Sequence, residues 1–207
     1  MEPIMTRFFC LVVFCIGLVF IVVPTGIYAE EKPSVVVEKL HSGLLANMKD
    51  AKALKFEGRR NLLAPIVRDV FDLETMARVS SGIAWQKMSE NERTAVVEAF
   101  SDWTIANYAS QFDNFEGEYF EIKGEADAGR GNIMVSTEIH TRSEIVVLDY
   151  RLRQTSKKWR IIDIYMDGSI SQLALRRGEF STVLGRGGVD KLVDHMRSLA
   201  AKLAAGV

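Results

Sequence analysis

The sequence predicts an α+β domain built on a four-stranded antiparallel sheet. Three observations lead to this prediction. Apolar residues recur at helical spacing through the first half of the chain, alternate with a period of two from Tyr119 to Met166, and return to helical spacing after Ser171. No stretch rich in proline and serine divides these parts, so we expect one domain rather than two.

Three helices are predicted in the first part of the chain. The spacing of apolar residues places the first over residues 33–54 and the second over residues 62–71, with Pro65 in the first turn of the second helix or at a kink. A short third helix is expected over residues 72–82. The glycine at its end marks the point where this helical pattern stops.

A longer helix is predicted to begin at Ser89. Ser89 and Glu92 have the Ser-x-x-Glu spacing in which side chains and backbone amides at a helix start satisfy each other. Phe100, Trp103 and Asn107 follow on one stripe of this helix. A helix with such an aromatic stripe is expected to lie in the core.

Four strands are predicted between Tyr119 and Met166. The first starts at Tyr119, and the others are expected over residues 133–140, 144–153 and 158–166, with short connections that imply antiparallel pairing. The last two strands carry apolar residues on both faces, which predicts that helices or a ligand cover each face of the sheet. In the fourth strand, alternation separates two sets of side chains, with Ile162, Ile164 and Met166 on one face and Trp159, Ile161, Asp163 and Tyr165 on the other.

Two helices are predicted to close the chain, over residues 171–184 and 189–205. Three glycines within residues 185–188 separate them. Glycine-rich turns before a helix can cradle a phosphate, but no Gly-Lys-Ser/Thr sequence follows here and no strand precedes. A plain turn between two helices is therefore the favoured interpretation.

Residues 1–29 are predicted to be a secretory signal peptide. Arg7 precedes an apolar run over residues 8–23, which is shorter than the roughly 20 residues that span a bilayer comfortably, and Ala29 suits the position before a cleavage site. An uncleaved amino-terminal anchor is the alternative. Residues 30–207 then form the exported domain, which contains no cysteine and so has no disulfide or thiolate chemistry.

Composition and motifs point away from several classes of function. Lys and Arg number 26 against 27 Asp and Glu, so a nucleic-acid binder that relies on bulk positive charge is excluded. His41, His140 and His195 have no metal-binding spacing, and neither a metal nor a cofactor is expected. Asp163 has apolar neighbours on both sides, so it is either a general base with a raised pKa or a structural acid that accepts hydrogen bonds from a helix start or an arginine.

Several short segments resemble one family. Residues 159–164 (Trp-Arg-Ile-Ile-Asp-Ile), the pair Asp167-Gly168 and residues 177–180 (Arg-Gly-Glu-Phe) follow nearly the order and spacing of the MlaC / toluene-tolerance family of periplasmic lipid carriers. The resemblance extends over residues 33–203. One extra residue between Gly168 and Arg177 and the neighbourhood of Trp85 resemble the hopanoid-biosynthesis-associated branch.

The resemblance implies a twisted four-stranded sheet wrapped by several helices around an apolar cavity. It also implies a periplasmic protein that takes phospholipid or a hopanoid-like lipid, with transient membrane contact. The implied partners are an inner-membrane ABC-type lipid transport complex and an outer-membrane lipoprotein complex, and no catalytic residue is implied. The residues predicted to contact lipid are those that the strands and the aromatic helix turn inward: Phe71, Phe100, Trp103, Val146, Leu148, Tyr150, Ile162, Ile164 and Met166.

Two other functions stay open from the sequence. One is a small enzyme with an apolar cavity and Asp163 as its general base. The other is an interaction module of the cell envelope that has no small ligand, in which side chains would fill the cavity. Core residues and cavity-lining residues have the same composition, so the sequence does not separate these alternatives.

Overall fold

A computed structural model describes residues 32–156 and 158–206. The predicted signal peptide and both cysteines lie outside the described residues. Within the described ranges, no helix is both long enough and apolar enough to cross a membrane. The α+β fold class predicted from the sequence is confirmed.

The described part of the chain contains five α-helices. Their bounds are α1 Pro33–Lys49, α2 Ala51–Val70, α3 Leu73–Ser81, α4 Glu90–Gln111 and α5 Gln172–Ala205, and a 3₁₀ helix spans Gly82–Lys87. The predicted first helix is thus shorter than expected. It ends at Lys49, and α2 breaks near its start, where Lys55 has a left-handed backbone with φ of 52°.

The start of α4 and the course of α5 follow local sequence signals. The Ser89 side chain accepts a hydrogen bond from the Glu92 backbone amide, and the Glu92 carboxylate accepts one from the Ser89 amide, which confirms the predicted capping box. The two helices predicted at the end of the chain are the two halves of α5. They meet at Gly188, whose φ of 70° is a conformation that glycine adopts at little cost.

The sheet has five strands rather than the predicted four. The strands are β1 Tyr119–Asp127, β2 Asn132–His140, β3 Ile145–Thr155, β4 Lys158–Met166 and β5 Ile170–Ser171, and they pair antiparallel in chain order. The fifth strand was missed because two residues are too few to show a period of two. It pairs with the end of β4 and leads directly into α5.

A β-bulge in β4 corrects the predicted faces of that strand. Tyr150 pairs with Ile164 but Leu152 pairs with Ile161, so Ile162 is an extra residue with no counterpart on β3. Ile161 therefore shares the helix-covered face with Ile164, and the predicted alternation of these two residues is wrong. The bulge also accounts for part of the apolar character that the sequence predicts on both faces of β4.

The core lies between the helices and one face of the sheet. Phe180 of α5 is 1 % exposed and meets Phe100 and Trp103 of α4 edge to face, at centroid distances of 6.3 and 6.1 Å. Edge-to-face contacts add to the free energy gained by burying these rings. At the edge strand β1, the Ser34 amide at the start of α1 donates to Glu125 Oε1 at 2.8 Å.

Candidate functional site

A pocket of about 280 Å³ lies between α4 and the inner face of the sheet. Helix α4 packs on α2, α3 and α5, and the pocket occupies the space between α4 and strands β2, β3 and β4. The lining residues belong to α3, α4, the sheet and the first turns of α5: Met76, Phe100, Trp103, Thr104, Asn107, Tyr108, Gln111, Phe112, Ile139, Val146, Leu148, Tyr150, Ile164, Met166, Gln172, Leu173 and Arg176.

The pocket opens at one end. Along the inner face of the sheet, exposure rises from 1 % at Tyr150 to 40 % at Met166. The exposure of the side chains on α4 rises in the same direction, from the buried Phe100 to the exposed Gln111. Residues Val146 to Tyr150 cover roughly 13 Å of β3 at 3.3 Å per residue. The opening therefore lies between the end of α4, the end of β4 and the start of α5.

Seven of the nine residues predicted to contact lipid line this pocket. They are Phe100, Trp103, Val146, Leu148, Tyr150, Ile164 and Met166. Phe71 and Ile162 are not among the lining residues. Phe71 is buried behind Tyr108, with ring centroids 5.6 Å apart, and Ile162 is the extra residue of the β4 bulge.

Sequence reasoning missed the polar rim of the pocket. Asn107, Gln111, Gln172 and Arg176 stand at or near its opening and are half-buried or exposed. Asn107 did appear in the sequence as a polar residue on the aromatic stripe of α4, four positions after Trp103. Such an interruption of a core stripe was a usable signal, whereas the position of Arg176 depends on how α5 packs on α4.

Tyr150 and His41 form a polar pair at the inner end of the pocket, and Tyr108 is a neighbour of Tyr150. Tyr150 Oη lies 3.2 Å from His41 Nε2, and the His41 ring stacks on Phe120 at 4.2 Å. Burial raises the pKa of Tyr150, and burial together with the neighbouring Tyr150 raises that of Tyr108. Both hydroxyls therefore remain uncharged at neutral pH and are available for hydrogen bonds only.

Protonation of His41 is expected to destabilise the fold in mild acid. Burial lowers the pKa of His41 from 6.5 to about 4, so between these values the unfolded chain binds a proton that the folded protein does not. Stability should thus be fully retained above pH 6.5 and fall towards pH 4, by about 3 kcal/mol for this group. Urea unfolding of wild type and His41→Gln over pH 4–7 measures the difference. Parallel curves for the two proteins would contradict the prediction.

Arg176 is held in place at the edge of the pocket. Its guanidinium lies 4.7 Å from the ring centroid of Trp103, and Nη1 donates to Glu179 Oε2 at 2.7 Å. Glu179 Oε1 is also 2.7 Å from His195 Nε2 on the second half of α5. Partial burial acts to raise the pKa of Glu179, but hydrogen bonds from His195 and Arg176 outweigh it and keep the pKa below its ordinary value.

Asp163 acts at the start of α5 rather than in the pocket. Its Oδ1 accepts hydrogen bonds from the backbone amides of Leu173 at 3.1 Å and Ile164 at 2.8 Å. Its Oδ2 accepts a 2.7 Å hydrogen bond from the Ser171 hydroxyl. A carboxylate is favoured at a helix N-terminus by the helix dipole. The structure therefore supports a structural acid.

The outer face of the sheet carries a small charged group. His140 Nε2 lies 3.0 Å from Glu138 Oε2 and 3.3 Å from Glu121 Oε2, and the His140 ring stacks on Tyr119. These atoms are close enough to share a metal ion. Lys123 Nζ is 3.2 and 3.5 Å from the same two glutamates, so an ammonium group already offsets part of their negative charge.

Comparisons with known proteins identify relatives of this fold. The model of the MlaC protein family matches residues 38–198. A search of curated proteins finds no match. A solved structure from Ralstonia solanacearum, a phospholipid-binding protein in complex with a phospholipid, superposes with a TM-score of 0.74 at 21 % identity. The match covers 84 % of this chain and 99 % of the Ralstonia chain.

Proposed function

The chain belongs to the MlaC protein family, and on that premise we propose that it is a carrier that holds a lipid in the pocket between α4 and the sheet. The main support for this proposal is the pocket itself. Apolar side chains of three strands, including Ile139, Leu148 and Ile164, face an open space instead of a packed helix. Concave, mostly apolar sites with a few polar groups at the edge are typical of ligand binding.

The physical need for such a carrier follows from the cost of exposing a hydrocarbon chain to water. Each CH₂ group costs about 0.8 kcal/mol, so a chain of roughly 16 carbons costs about 13 kcal/mol. A protein that offers equivalent burial removes most of this cost and needs no catalytic group. At about 280 Å³ the pocket is near the lower end of the range for ligand sites, roughly 300–1,000 Å³, so the head group is expected outside it.

The family and the sequence also support a cellular compartment and a set of partners for this carrier. We propose that residues 1–29 direct export to the periplasm and that the carrier moves phospholipid or a hopanoid-like lipid between the inner and outer membranes. Its partners would be an inner-membrane ABC-type lipid transport complex and an outer-membrane lipoprotein complex. Met166 and Ile170, which are exposed, apolar and paired at the end of the sheet, support a transient contact with the membrane during loading.

Native mass spectrometry of the protein purified without detergent tests this proposal. We expect a bound mass, and lipid extraction of the same sample should identify it as a phospholipid or a triterpenoid. The protein mass also shows whether residues 1–29 have been removed. A protein that carries no lipid, and stays lipid-free after incubation with membrane vesicles, would contradict the proposed carrier function.

The two alternatives gain less support from the structure. An enzyme based on Asp163 would need its carboxylate free in the cavity, but both oxygens are engaged at the start of α5. An interaction module without a small ligand would fill the cavity with side chains. The open space beside Leu148 and Ile164 favours a ligand instead.

A further inference from the structure

We propose that Arg176 binds the phosphate group of a phospholipid whose hydrocarbon chains occupy the pocket. This inference rests on the proposed carrier function and adds the residue that contacts the head group. Among the described residues that line the pocket, Arg176 is the one with a permanent positive charge. The lining contains no carboxylate, and the Glu179 carboxylate that pairs with Arg176 lies outside it. A phosphate at the opening would therefore meet a single cation.

The position of Arg176 suits a head group. Gln172 stands at the opening, and Arg176 is one helical turn further along α5, about 6 Å by the rise of an α-helix. Its side chain is 35 % exposed, so it faces both the pocket and the solvent at the gap between α4 and α5. A head group at the opening would therefore lie about one helical turn from the backbone of Arg176, a distance that its long side chain can span.

The guanidinium is already oriented and retains free donors. Trp103 supports it from one side, and Glu179 accepts from Nη1. In the ranges that the structure covers, no hydrogen bond engages Nε or Nη2 of Arg176. An arginine presents its N–H groups in a planar fork that matches two phosphate oxygens, and an oriented side chain loses less entropy on binding.

The neighbouring polar groups are neutral and complete the site. Asn107 on α4 and Gln172 on α5 both line the pocket near Arg176. Their amides can donate to ester carbonyl oxygens of a lipid without favouring any head-group charge. We therefore expect Arg176 to bind the phosphate, while the rest of the head group stays in water.

A competition between two lipids with the same chains tests the role of Arg176. The lipid-free protein is mixed with equal amounts of dipalmitoyl phosphatidylglycerol and dipalmitoylglycerol, and native mass spectrometry gives the ratio of the two complexes. Arg176→Gln should lower this ratio about 10-fold to 100-fold, as expected for the loss of hydrogen bonds to a charged group. Arg177→Gln is the matched control, because Arg177 is the next residue, is exposed and does not line the pocket.

The outcomes separate this inference from the carrier function. An unchanged ratio in Arg176→Gln, or an equal drop in Arg177→Gln, would overturn the phosphate contact while leaving lipid binding intact. Wild-type protein that binds neither lipid would contradict the carrier itself. If Arg176→Gln does not fold, Arg176→Lys keeps the charge but loses the fork, and a smaller fall in the ratio is then expected. Inorganic phosphate alone should form no Arg176-dependent adduct, since such an adduct would mean that free phosphate is the ligand.

Discussion

Leu148→Gln is expected to lose most of its bound lipid while its stability changes little. Leu148 lines the pocket from β3, so the new amide would face the hydrocarbon chain without a hydrogen-bond partner. An unpaired amide in an apolar setting costs about 1–3 kcal/mol, which corresponds to roughly 5-fold to 150-fold in affinity. In the empty protein the amide reaches water in the pocket, so unfolding should change by less than about 1.5 kcal/mol.

The neighbouring residue on the strand provides the control for Leu148. Val147 is 36 % exposed and pairs with Glu138, which places it on the outer face of the sheet. Val147→Gln should leave lipid occupancy unchanged. Lipid occupancy by native mass spectrometry and thermal unfolding of both variants give the comparison. Equal losses of lipid and stability in Leu148→Gln would mean that Leu148 is an ordinary core residue.

Phe180→Ala is expected to produce the largest loss of stability. Phe180 is 1 % exposed and fixes the first half of α5 against Phe100 and Trp103 of α4. Removing a buried aromatic ring costs about 3–5 kcal/mol because burial is lost and a cavity remains. For a domain of this size the melting temperature should fall by roughly 6–20 °C.

A residue on the same helix controls for changes in helix propensity. Leu175 is 56 % exposed, so Leu175→Ala should change the free energy of unfolding by less than about 0.5 kcal/mol. Calorimetry of the two variants in the lipid-free state makes the measurement. If the melting temperature of Phe180→Ala equals that of the wild-type protein, the packing of α5 on α4 does not stabilise the fold as described.

Local signals explain which parts of the fold were predictable from the sequence. The capping box at Ser89 and Glu92 needs only neighbouring residues, and the alternation in β2 places Val135 and Ile139 on the buried face as expected. Such signals depend on the geometry of a single element. They locate helices and strands without information about what packs against them.

The missed features depend on contacts between distant segments. The bulge at Ile162 exists only in the pairing of β4 with β3, and β5 exists only as a partner for the end of β4. Likewise, the sequence nominated Leu148 and Tyr150 from their strand pattern but passed over Arg176. That residue reaches the pocket because the first half of α5 packs on α4, with Arg176 over Trp103, and no local pattern reveals this packing.

The hydrogen bond between Ser34 and Glu125 bears on how the protein can be handled in the laboratory. Glu125 pairs with Val135 of β2, and Val135 pairs with Tyr150 of β3, which lies at the inner end of the pocket. The described chain thus starts at the inner end of the pocket, away from the opening. A tag or linker placed before Lys32 would leave the opening unobstructed. The protein can then be immobilised on a sensor surface by its amino end, and the kinetics of lipid exchange with vesicles flowing past can be followed directly.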